Sequence, residues 1–142
     1  MRESPDVFKV SEVSHVTYPT IDFDKSYDFL VNTLGFYPQI RGGITYVGIA
    51  DTLFELSRRT QLPVDPDRPT SYLLGLQVDD LEAAIADLTA KGIEVTRPIS
   101  KARSFYGKQA VIRDPGGPQM ALRQYFEPDG PHYMDWKPEE DG

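Results

Sequence analysis

Cysteine is absent from the 142 residues, and with it disulfides, thiolate nucleophiles and thiolate metal sites. Histidine is scarce, with two copies in the chain. No apolar run approaches the roughly 20 residues that span a bilayer. The opening stretch MRESPDVFKVSE lacks the apolar segment that drives secretion, so a soluble, cytoplasmic chain with no membrane partner is expected. Basic residues are outnumbered 15 to 22, leaving a net charge of -7. That sign repels phosphate backbones and argues against nucleic acid as a partner. GxSxG and P-loop patterns are missing too. Gly42-Gly43 reads as a hairpin turn, since no helix follows it to offer free amide groups. What is present is ordinary: 39% hydrophobic and 26% charged residues, enough chain for one domain. Chemistry in such a chain rests on carboxylates, the two histidines, hydroxyls and backbone.

The informative pattern is an internal repeat. Residues 13–18, VSHVTY, read as a strand ending before Pro19. A helix follows from Asp22, with Phe23, Tyr27, Leu30, Val31 and Leu34 on one face and Gly35 at its end. FYPQIR, ITYVGIA and TLFELS then alternate as strands of a meander. The order recurs downstream. YLLGLQV (72–78) reads as a strand, Asp79 and Glu82 as a capping box, and Leu81, Ala84, Ile85 and Leu88 as a helix face closed by Gly92. Strands IEVTRP, KQAVIRD and PQMALRQY follow, the last two joined by the turn Asp114-Pro115-Gly116-Gly117. The expected fold is α+β: two βαβββ modules whose curved sheets enclose a concave ligand cavity. The expected divisions are an extension at 1–10, a first module at 11–58, a surface linker at 59–70, a second module at 71–126 and a tail at 127–142.

This duplication, with HVTYPTIDFDKSYDFLVNTLGF in one half and LQVDDLEAAIADLTAKGIEV plus RDPGGPQMALRQY in the other, resembles the vicinal oxygen chelate superfamily. That group includes glyoxalase I, extradiol dioxygenases and bleomycin-resistance proteins. The resemblance implies the fold and, by analogy, a homodimer whose chains complete each other's cavities. In its metal-dependent members, four strands each place one ligand on the cavity face. Carried onto this chain, the positions are His15, Glu55, Leu73 and Ala121. The first two are metal-binding types; Leu and Ala are not.

Strand alternation supports that register. Val16, Tyr18, Phe54, Leu56, Leu74, Leu76, Met120 and Leu122 form an apolar set for the helix side, and the mixed set between them faces the cavity. A slip by one residue would bury Glu55 beneath a helix. His15 and Glu55 are the candidate catalytic pair, since a carboxylate beside an imidazole fixes its tautomer for proton transfer. If any metal binds, these two hold it; otherwise they are a hydrogen-bonded remnant. Thr17, Ser57, Leu73, Gly75, Gln77, Gln119, Ala121 and Arg123 are candidate ligand contacts by alternation. Tyr46, Phe105, Tyr106 and Tyr125 join them as aromatic walls for a flat, apolar ligand. Arg123 suits a carboxylate or phosphate of a ligand, or else neutralises Glu55. His132 reads as tail.

Two function classes follow. One is a small-molecule protein without a cofactor, sequestering an apolar or aromatic ligand or converting it by acid–base chemistry. The other is a lyase, isomerase or dioxygenase dependent on one divalent transition metal.

Overall fold

The computed structural model describes residues 7–65, 67, 68, 71–103 and 105–127; the expected tail, with His132, lies almost wholly outside them. Strand β1 (Val16–Thr20) leads to α1 (Phe23–Asp28), then to β2 (Tyr37–Arg41), β3 (Ile44–Ile49) and β4 (Thr52–Arg58). The second half repeats this order in β5 (Gly75–Gln77), α2 (Leu81–Ala90), β6 (Val95–Lys101), β7 (Gly107–Arg113) and β8 (Gln119–Tyr125). No helix among the described residues is long and apolar enough to cross a membrane.

Local chemistry explains the helices. Asp22 is extended and its carboxylate accepts the Lys25 N–H at 3.2 Å, capping α1. The helix runs on into a π-helical turn, Phe29–Thr33, where the Leu34 N–H reaches back to the Phe29 carbonyl. Gly35, at φ +83°, stops it. In α2 the cap is Asp80, bonded to the Ala83 N–H at 3.0 Å, rather than the expected Asp79. Asp79 lies one residue outside the position from which a side chain reaches the free amides.

The sheets are ordered β1-β4-β3-β2 and β5-β8-β7-β6, each with its first pair parallel and the others antiparallel. Thr17 stands opposite Glu55, and Gly75 stands opposite Ala121. Leu73 therefore precedes Gly75 as His15 precedes Thr17, the correspondence the repeat predicts.

Boundaries differ from expectation at the edges. β1 begins at Val16 and runs through Pro19, which an edge strand tolerates. Val16 is 42% exposed at that edge, not buried beneath the helix. β5 is three residues, not seven, and β6 continues past Pro98 with register shifts on both sides of Arg97. The linker is not purely superficial, because Leu62 is buried.

The apolar sets of both modules meet in one core. Tyr18, Phe29, Leu30, Phe54 and Leu56 from the first join Leu81, Leu88, Ile112, Met120 and Leu122 from the second. Each such side chain contributes about 1.5–3 kcal/mol through burial. The mixed sets, by alternation, lie on the sheet faces turned away from this core.

A polar clasp ties the halves. The Tyr18 hydroxyl donates to Asp114 Oδ2 at 2.6 Å, and the Gly116 N–H donates to Asp114 Oδ1 at 2.7 Å. The Gly116 carbonyl accepts the N–H groups of Ile21 and Asp22, both at 3.1 Å, so the Asp-Pro-Gly-Gly turn sits against the start of α1. Burial raises the pKa of Asp114, against the opposing pull of hydrogen bonds from Tyr18, Gly116 and Ser26. Burial, and then the neighbouring Asp114 charge, pushes the Tyr18 phenol well above its ordinary range.

Candidate functional site

On the open face of the first sheet, His15 lies just ahead of β1, and its Nε2 is 3.4 Å from Glu55 Oε1. Its Nδ1 is 3.3 Å from the Ser14 hydroxyl. Tyr46 is paired across the strands with Glu55, and its ring meets the imidazole edge-on at 6.1 Å. Thr17 flanks Glu55 on the other side, and Ser57 follows two residues along β4, half-buried. The pair is partly open to solvent, with side-chain exposures of 39% and 31%. A carboxylate and an imidazole at this separation are suited to exchange a proton with a bound molecule.

The open face of the second sheet is chemically different. Leu73 is 63% exposed, whereas Ala121 has no exposed surface and so offers nothing to a ligand directly. Gln77 is engaged with backbone, donating to the Val78 carbonyl and accepting from the Tyr125 N–H. Phe105, buried, packs edge-on against Tyr125 at 5.6 Å, and the Arg123 guanidinium lies 4.8 Å above its ring. Tyr106 is half-exposed and packs against Phe126. Arg123 forms no ion pair with Glu55 among the described residues.

Thr17, Leu73 and Gln119 come together in a third place, a cleft between the two sheets that Leu62, Pro63 and Val64 of the linker also line. Gln119 is buried and donates to the Arg68 carbonyl at 2.6 Å, fastening the linker to β8. The apolar triplet Leu62-Pro63-Val64 within a polar connection is the signal by which this lining was detectable in sequence. Gln109 was also missed. It stands opposite Arg123, and its buried Oε1 has no hydrogen-bond partner. Nothing in the strand pattern of β7 distinguishes it from any polar residue.

As for metals, His15 and Glu55 are two donors, and the corresponding positions hold Leu73 and Ala121. Among the described residues no three His, Asp or Glu side chains gather in one place. Catalytic sites generally supply three protein ligands, so this donor set does not fit a firmly held transition metal.

The family model for the Glyoxalase/Bleomycin resistance protein/Dioxygenase superfamily matches residues 12–122. No curated protein matches the chain. Among solved structures, TnmS3, an antibiotic binding protein from Streptomyces sp. CB03234, is 29% identical with a TM-score of 0.66, over 82% of this chain and 97% of its own. SMU.1112c is 28% identical with a TM-score of 0.60, over 81% and 99%. A glyoxalase/dioxygenase from Nostoc punctiforme shares the fold at 17% identity and a TM-score of 0.62, over 82% and 92%.

Proposed function

We propose, from the premise that this chain belongs to the Glyoxalase/Bleomycin resistance protein/Dioxygenase superfamily, that it binds an apolar or aromatic small molecule without a metal. The observation that carries this reading is the unequal pair of open faces. One keeps His15 and Glu55 3.4 Å apart, while Leu73 and Ala121 occupy the matching places on the other. The similarity to TnmS3, described as antibiotic binding, supports sequestration as the first use of the site. His15 and Glu55 then orient the ligand's polar edge, or move a proton on it if the ligand is altered. We further propose a homodimer. Each sheet turns its open face away from the chain's own core, and a facing wall from a second chain completes a pocket.

Native mass spectrometry against a panel of polycyclic aromatic antibiotics tests this directly. The expected result is a complex with at least one compound, recovered at unchanged mass for a binder or at altered mass for an acid–base enzyme. His15→Ala should weaken binding or abolish turnover. The proximity of His15 to Glu55 favours one rival, a metal-dependent lyase, isomerase or dioxygenase. Elemental analysis of chelator-free protein showing one transition metal per chain, lost on His15→Ala, would establish that rival instead.

A further inference from the structure

Strands β5 to β8 contain five Lys or Arg residues and no Asp or Glu. Lys108 pairs with Glu82 of α2, and Arg113 pairs with Glu94 ahead of β6. Arg123 is different: it is half-buried and makes neither an ion pair nor a side-chain hydrogen bond among the described residues. Its Nε is buried without an acceptor. Phe105 satisfies the face of the guanidinium at 4.8 Å, but a ring beneath that face accepts none of the in-plane N–H groups. Gly75 leaves room for the side chain to lie across the sheet, since even a Cβ there would be 3.4 Å from Nε. Opposite, Gln109 buries an unpaired carbonyl oxygen. A half-buried cation left unpaired in a protein of net charge -7 is costly unless something else pairs with it.

We propose that Arg123 is an anion subsite, and that the ligand carries a carboxylate on its aromatic frame. Phe105 and Gly75 flank the guanidinium of a side chain that is only half-buried, a setting suited to a flat group bound edge to edge. The Gln109 amide stands beside it for a neighbouring donor of the ligand. This rests on the reading above that the open faces bind an aromatic molecule, and it names that molecule's charge.

Isothermal titration of the full-length protein with 2-naphthoate, neutral 2-naphthamide and 2-naphthyl phosphate tests it. Naphthoate should bind about tenfold or more tighter than the amide, as one charge-assisted contact implies. Arg123→Gln should bring the two affinities together, chiefly by weakening naphthoate, and Arg123→Lys should restore part of the preference. In the unmodified protein, added salt should weaken naphthoate and not the neutral amide. Equal affinities for naphthoate and the amide overturn the anion subsite and leave aromatic binding intact. Tighter binding of the phosphate overturns the assignment to a carboxylate. Binding of no probe overturns both readings.

Discussion

The hydroxyl of Tyr18 is a single donor holding a buried carboxylate across the junction of the two halves, at 2.6 Å. Tyr18→Phe keeps the ring and removes only that bond. Chemical denaturation should show a loss of about 1–3 kcal/mol, the cost of leaving a buried charged acceptor short of a partner. The pH profile gives a second signature. Burial raises the Asp114 pKa, so between the ordinary carboxyl value and the raised one the folded chain keeps a proton that the unfolded chain has released. Stability should therefore gain as pH falls through that window, and Asp114→Asn should remove the gain. Toward alkali the phenol works in the same direction. Its pKa is raised in the folded state, so stability should drain above about pH 10, where the unfolded tyrosine ionises. Not all of this was readable in sequence. Asp114 stood out as a turn residue, because Asp-Pro-Gly-Gly has local chemistry, but its partner lies 96 positions away.

At the scale of elements, the turn after β7 packs closely against the start of α1. A Cβ on Gly116 would stand 2.6 Å from both the Asp22 carbonyl oxygen and Thr20 Oγ1, and closer still to Ser26 Oγ. Gly116→Ala must displace the start of α1, and a melting curve should register a loss of about 2 kcal/mol or more. The elements themselves were legible where periodicity was long. The α1 and α2 faces and the meanders all follow from spacing and alternation, whereas the parallel pairing of Thr17 with Glu55 does not. Short edges were not legible. β5 shrinks to three residues because an edge segment gains ladder bonds on one side only, and Asp80 displaces Asp79 as cap by a single position. For the candidate site, alternation put His15 and Glu55 on one face, and the structure sets Tyr46 beside them. It had no means of anticipating that Phe105, from the loop before β7, would fold over Arg123.

On the scale of the whole molecule, the two open faces differ in chemistry: the His15–Glu55 pair on one, Arg123 without an acid on the other. If chains pair so that unlike faces meet, light scattering should return twice the mass of the 16.0 kDa chain. Substituting Leu73, 63% exposed, with Glu should shift that distribution toward single chains, since a charge would be carried into the contact. A monomer at all concentrations would instead leave each face open to solvent.

The common core also divides the labour of the sequence. Folding is secured from the inside, by helices and sheet undersides that both halves hold together. The outward walls bear little of that burden. His15, Glu55, Leu73 and Arg123 can consequently be exchanged for other chemistry while the scaffold stands, which makes this architecture a workbench whose tools are replaceable.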